Sequence, residues 1–584
     1  MNKEWSLDLL YKSFQDESFS SDIKSLEDLI QTFKDFVKGL NVNDPNKEIP
    51  NLINYMENIY ILANKLGDYV SLRQSTDTKD SETISFMQKL EELMSNISKE
   101  EAIVKKYIAN TYKLDEIIKD DPKLTEYEFF LKEIKIEAEH TLDDEVEEVV
   151  AKMNLSAGSA WSSMHQYLTS ILDVDYKEKT ITLSEIRNLA HDKDANTRRL
   201  AYEKEIASYE KINDSIAFSL NNIKSQVNML SNMRAYKSPL DMTLQESRMK
   251  RETLDAMLTA IKDYLPRFHA YLRRKGEILG SRTGLPWWDL FAPLGETNKT
   301  FTIEEAKEYL TSHFRPFSND LADLTIEAFD NNWIDFLPRS GKVGGAFCSN
   351  LPYIKESRIL TNFNGSLSDV VTLAHELGHA YHGLHIQDHL PLNTDYSMPV
   401  AETASNFNET LIMNAAINEA KGNEKLTLLE SQLQDTTQII CDIYSRFLFE
   451  SEVFEKRRET FLFSDDLKEI MINTQKEAYG DGLDHNYLHP YMWINKSHYY
   501  SESLSYYNFP YAFGGLFAKG LYAKYLEQGP DFVPQYHSLL KATTVNTVED
   551  VAEIAGIDLS KPDFWRQSLQ TISGSINEFL KITK

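Results

Sequence analysis

Two histidines four residues apart, His375 and His379, with the acid Glu376 between them, are the residues whose types and spacing carry a chemistry. On a helix, residues four apart stack on one face. Both imidazoles can therefore be offered to a single zinc ion, while Glu376, one step round, is placed to act on water rather than on the ion. The flanks agree with a helix. Val370, Val371, Ala374, Leu377 and Gly378 repeat at helical spacing, and Ser366 three residues before Asp369 reads as a capping box that starts it.

A catalytic zinc takes three protein ligands and leaves a fourth position to water. Two sources for the third compete. His385 lies six residues after His379, where the His-Glu-x-x-His-x-x-Gly-x-x-His pattern places a third histidine, and Ser397-Met398 hints at a methionine turn. That pattern needs a glycine at position 382 to turn the chain; His382 stands there, with Gly383 one residue late. The other source is Glu402. Ser397 as cap and Pro399 in the first turn predict a helix to about Lys421, with Glu402, Ser405, Asn406 and Glu409 along one face. Such a helix can bring Glu402 against the histidine pair. Glu402 is favoured over His385, His382 and His389, which read as surface or helix-end residues.

The elements that must hold these groups are helical. From Trp5 to about Lys123, apolar residues fall at three- and four-residue steps, as in Leu26, Leu29, Ile30, Phe33, Phe36, Val37 and Leu40, with breaks expected at 41–50, 75–81 and 120–122. The pattern continues from Tyr127 to Met153, where the acidic run at Asp143, Asp144, Glu145, Glu147 and Glu148 reads as a solvated helix start. Alternation over Val174–Leu183 predicts a short hairpin, after which Ser184 opens the next helix; the division into regions 1–183 and 184–584 is placed here. Trp287 and Trp288 read as a packing anchor. Between Lys342 and Phe363 the character turns to β, with Arg358–Phe363 as a strand that either completes a small sheet or pairs with an extended peptide.

Composition narrows the partners. Ninety acidic against 62 basic residues give a formal charge of -28, which argues against nucleic acid or an anionic membrane. Only Cys348 and Cys441 are present, the first residues contain no apolar signal region, and no 18-residue apolar run occurs. A soluble cytoplasmic protein is expected.

His375-Glu376-Leu377-Gly378-His379, followed by Ala401-Glu402-Thr403-Ala404-Ser405-Asn406-Phe407-Asn408-Glu409, resembles the oligoendopeptidase F branch of the thimet oligopeptidase superfamily. The resemblance runs from about Leu114 onward and includes Gly345-Ala346-Phe347 and a C-terminal tyrosine-rich block. It implies a mainly α fold: a large multi-helix body with a small β element beside the metal helix, and a deep channel roofed by the N-terminal helical region. It implies one zinc ion on His375, His379 and Glu402, support from Glu409, and cleavage of short peptides. It also carries over His498, Tyr507 and Tyr511 as donors to the substrate carbonyl and oxyanion. With Glu376 as general base, the expected reaction is hydrolysis of a peptide bond. Two other classes stay open: a carboxypeptidase on a related helical frame, and a helical peptide-binding protein that keeps the site without using it.

Overall fold

The computed structural model describes residues 3–295 and 299–584, and 70% of the chain is helical, as the apolar spacing requires. Met1 and Asn2, the first residues of the expected signal-free start, lie outside the described residues. Helix α1 (Glu17–Lys38) starts where the Asp16 side chain accepts from the Ser18 N–H, and it buries Phe19, Ile23, Leu26, Ile30, Phe33 and Val37. Helix α2 (Pro45–Thr76) corrects the break expected at 41–50. The chain re-enters a helix at Pro45 and carries Pro50 inside it, because a proline so near the helix start removes little of the hydrogen-bond ladder.

Two apolar cores follow the chain. One runs from Trp5 to Ile134 and takes in Leu351 and Leu360; the other runs from Leu172 to Phe579. Between them lies the helix Asp144–Asn154, whose first turn holds the acidic run and which buries none of its residues. The hairpin β1 (Asp173–Tyr176) and β2 (Lys179–Thr182) forms as expected, but the next helix starts at Leu183. Its cap is Thr182, in a capping box with Glu185, so Ser184 is already helical. Trp287 packs on Tyr479 and Trp288 on Tyr487, a packing anchor as their sequence suggests.

A three-stranded sheet joins the cores. Strands β3 (Ile334–Asp335), β4 (Phe347–Leu351) and β5 (Glu356–Leu360) lie in the order β3-β5-β4. Phe347, Leu351 and Leu360 face the first core, while Cys348 and Ile359 face the second, because successive strand residues point to opposite sides. The strand expected at 358–363 is thus β5, at the centre of the sheet with both edges paired. The outer position falls to β4, which propensity alone does not mark. Beside β4 runs helix α3 (Leu367–Ile386), followed by α4 (Thr403–Glu419), α5 (Ile443–Arg457) and α6 (Phe509–Gln528).

Candidate metal centre

Helix α3 opens on the capping box of Ser366 and Asp369 and runs unbroken to Ile386. Gly383 does not turn it. Its missing side chain instead makes room for Asn350 of β4, since a Cβ there would meet the Asn350 Oδ1 at 2.4 Å. Asn350 Nδ2 in turn donates to the His379 carbonyl at 3.2 Å, tying strand to helix beside the site. On an unbroken helix His385 stands about 9 Å beyond His379 along the axis and two-thirds of a turn round. It stacks on His537 at 4.4 Å instead of joining the pair. His382 is fully buried, stacked on Tyr396 with Nε2 2.8 Å from the Thr543 hydroxyl, which corrects its expected surface position. His389 lies 2.7 Å from the Lys541 carbonyl.

Glu402 reaches the pair by a break the sequence does not announce. The single helix expected from Ser397 to Lys421 is two pieces, Met398–Ala401 and α4, with Glu402 at the joint (φ -92°, ψ 11°); Ser397 makes no side-chain cap bond. Glycines on two helices let the surroundings close in. A Cβ on Gly378 would lie 2.5 Å from the Ala404 carbonyl and the Ser405 Cα, and one on Gly514 would lie 3.1 Å from the Glu402 Cβ.

The result is a compact donor set. His375 Nε2 and His379 Nε2 are 3.2 Å apart, and Glu402 Oε2 is 3.3 Å from the first and 3.5 Å from the second. Ligand atoms about 2.0–2.1 Å from a tetrahedral zinc sit roughly 3.3–3.4 Å from one another, so the donors fit such an ion. Among the described residues this is the one such cluster of His, Cys, Asp and Glu. Ser405 donates its hydroxyl to Glu402 Oε2, the donor oxygen itself, at 2.6 Å, and Glu409 Oε1 lies 3.0 Å from His375 Nδ1, on the far side of that imidazole from the donor set. Sequence spacing puts Ser405 and Glu409 on one face with Glu402; Asn350 and Gly514 carry no signal, and Gly383 reads only as a turn glycine one residue late.

Charge is unevenly held. Burial alone would lower the His375 pKa, but the Glu409 bond and the carboxylates of Glu402 and Glu376 hold it up at about 9. Burial dominates at His379 and pushes it down. Glu376 is buried and raised to about 7 by that burial, opposed by His375. It makes no hydrogen bond among the described residues and lines a cavity of about 420 Å³ with Ala346, Phe363, His375 and Glu409.

The tyrosine-rich block divides by burial. Tyr491, Tyr499, Tyr500 and Tyr506 are core residues, Tyr500 donating to the Trp493 carbonyl at 2.9 Å. Tyr511, 41% exposed, donates to the Tyr507 hydroxyl at 2.7 Å, and the Tyr507 ring lies 5.8 Å from that of His498. After burial and the Tyr507 contact, the charge of Glu402 also raises the Tyr511 pKa.

Similarity to known proteins follows the same lines. The family model described as Peptidase family M3 matches residues 188–571, and the one described as Oligopeptidase F matches residues 109–173. The chain is 25% identical over 575 residues to oligopeptidase PepF of Bacillus subtilis, covering 96% of this chain and 84% of that protein. It is 23% identical over 573 residues to group B oligopeptidase PepB of Streptococcus agalactiae, covering 96% and 94%. In fold it is similar to the crystal structure of oligoendopeptidase-F from Enterococcus faecium, with a TM-score of 0.72, 19% identity, and 97% and 99% of the two chains covered. A donor set of two histidines and a glutamate, a buried acid beside it and a family match over most of its length lead to one conclusion: this chain belongs to peptidase family M3, in its oligoendopeptidase F branch, and is a metallo-oligopeptidase.

Proposed function

We propose that the chain is a zinc-dependent endopeptidase of short peptides. In this reading His375, His379 and Glu402 hold the ion, Glu376 is the general base, and His498, Tyr507 and Tyr511 serve the reacting carbonyl. It is supported above all by three donor atoms meeting at 3.2–3.5 Å beside the unbonded carboxyl group of Glu376. A bound zinc supplies Lewis acidity, lowering the pKa of water and polarising the scissile carbonyl. Glu376, buried beside the donor set and free of hydrogen bonds among the described residues, would take a proton from the attacking water and pass it to the departing amine. Tyr511 donates a hydrogen bond to the Tyr507 hydroxyl, which leaves the Tyr507 O–H to donate to a developing oxyanion. Glu409 keeps the His375 Nδ1 proton in place, so that Nε2 faces the ion.

Residues 1–183 are proposed as a helical roof over a catalytic region, 184–584; the two apolar cores support a division of this kind, although Leu172, Val174 and Leu183 already belong to the second core. A second cavity, of about 570 Å³, lies between Asn64 and Asp68 of α2 and the residues of β4, offering room for an extended peptide. Both cysteines are free, in keeping with a cytoplasmic setting, and no helix of the described residues is long and apolar enough to cross a membrane. Metal analysis of the purified chain, together with mass-spectrometric mapping of a mixed peptide library, tests the reading. One zinc per chain and internal cleavage of short peptides are expected; cleavage that persists after the metal is stripped overturns it.

A further inference from the structure

Beside His498 the charges do not balance. Lys224 pairs with Glu450 at 2.6 Å, Arg187 with Glu205 at 3.3 Å, and Arg446 with Asp442. Lys496, two residues before His498 and half-buried, has no carboxylate within ion-pair distance and no side-chain hydrogen bond among the described residues. Other donors around it also lack acceptors. Arg446 Nη1 reaches Asn508 Oδ1 at 3.3 Å, yet Arg446 Nε, Asn508 Nδ2 and His498 Nε2 are buried without partners. The positive charges of Arg446, Lys496 and Lys224 converge on His498 and, after burial, push its pKa down to about 3. Just before α5, residues Gln438–Asp442 form a π-helical turn that ends on Asp442, the partner of Arg446. Such turns recur at functional sites.

We propose that Lys496, with Arg446 and Asn508 beside it, forms a subsite for a carboxylate of the peptide substrate, close to the scissile bond. This rests on the peptidase reading above. The short 3₁₀ turn Ser497–Tyr500 carries His498 against Tyr507, and Lys496 immediately precedes it, so the unpaired ammonium lies one turn from the groups that face the reacting carbonyl. An ammonium held in a largely enclosed place without a carboxylate in contact is unfavourable: burial and the charge of Arg446 lower its pKa to about 7, and the more distant carboxylates of Asp442 and Glu205 offset this only in part. A substrate carboxylate supplies both the missing charge and an acceptor for the idle donors. Two peptide groups have this chemistry: the C-terminal carboxylate and an Asp or Glu side chain.

The test uses the full-length, metal-loaded chain and three peptides of one sequence: the free acid, its C-terminal amide, and the amide with one glutamine beyond the scissile bond changed to glutamate. The ratio of kcat/KM between peptides is read within each enzyme preparation, so a partly misfolded variant does not distort it. The native chain should favour a carboxylate-bearing peptide by about tenfold or more, mainly through KM, the size of one charge-assisted hydrogen bond. The ratio should fall near one in Lys496→Met and be largely kept in Lys496→Arg. Preference for the free acid alone assigns the C-terminus, and preference for the glutamate peptide assigns a side chain; either supports the subsite. Equal kcat/KM for all three peptides overturns it while leaving the peptidase reading intact. Should none be cleaved, the peptidase reading falls, and calorimetric binding of acid against amide decides the subsite by itself.

Discussion

Gly378 and Ser405 touch backbone to backbone: a side chain on Gly378 would place its first carbon 2.5 Å from the Ser405 Cα. This contact sets the distance between the helix that carries the histidines and the residues that carry Glu402. Alanine at 378 must push them apart. Overpacking of this kind costs about 1–3 kcal/mol. Gly378→Ala is expected to melt at lower temperature and to lose metal, because Glu402 moves away from both imidazoles. Thermal denaturation and metal content by mass spectrometry check it; full metal content at unchanged stability would show that the close approach is not needed.

The acids of the site should separate by what they lose. Glu376→Gln keeps the donor set and is expected to retain metal while turnover falls by roughly 10²–10⁴, the usual worth of a general base. Glu402→Ala removes a donor and should lose the metal itself. Glu409→Ala, which removes only the partner of His375 Nδ1, should weaken metal binding by about 10–100-fold. Metal titration and steady-state kinetics on the three variants distinguish these outcomes, and a Glu376→Gln enzyme with normal kcat removes Glu376 from the mechanism.

The two exposed-side tyrosines should not be equivalent. Tyr511 donates to Tyr507, so the proton of Tyr507 is the one left for substrate. Loss of an oxyanion donor costs about 10²–10³ in kcat. Tyr507→Phe is expected to show a loss of that size, and Tyr511→Phe a smaller one through a weakened Tyr507. Equal losses in kcat would place both hydroxyls on the substrate.

Buried His382 links stability to pH. Its pKa is lowered by burial to about 3, against about 6.5 in an unfolded chain. The folded value is the lower one, so the unfolded state takes up the proton first. The contribution is fully present above pH 6.5 and is lost as pH falls toward 3. A His382→Gln variant lacks this loss. The stability difference between the two chains should therefore move in favour of the variant by about 1.4 kcal/mol per pH unit below pH 6. Urea denaturation at pH 7, 6 and 5 measures it, and parallel curves would mean that His382 protonates inside the fold.

Removal of the metal gives the simplest check on stability. A ligand that binds only the folded chain stabilises it by mass action, so chelation should lower the melting temperature along with activity, and zinc should restore both. Loss of activity with no change in melting temperature would place the bound metal away from the fold that Glu402 and the histidines share.

How much of this the sequence carried depends on distance along the chain. The histidine pair, its acid and the Ser366 cap are local: helical periodicity places all four within 14 residues, and the structure shows them on one helix. The helical body follows from the same periodicity, apart from the proline at 50 and the cap at Thr182, where one-residue choices escape a pattern reading. The helix start at Pro399 points to Glu402, but through a continuous helix that the chain does not form. The break at Glu402 depends on what α3 and α6 press against it, and that is not written in the local spacing.

By itself, then, the order of residues decided which groups could do chemistry and that helices would carry them, because capping and 3.6-residue spacing act over a few neighbours. The meeting of Glu402 with His375 and His379, the seating of Asn350 against Gly383, and the placing of Lys496 near Arg446 but out of ion-pair reach of Asp442 and Glu205 join residues tens to hundreds of positions apart. Only packing of the whole chain brings such groups within reach, since burial and charge there are set by neighbours that no local window contains.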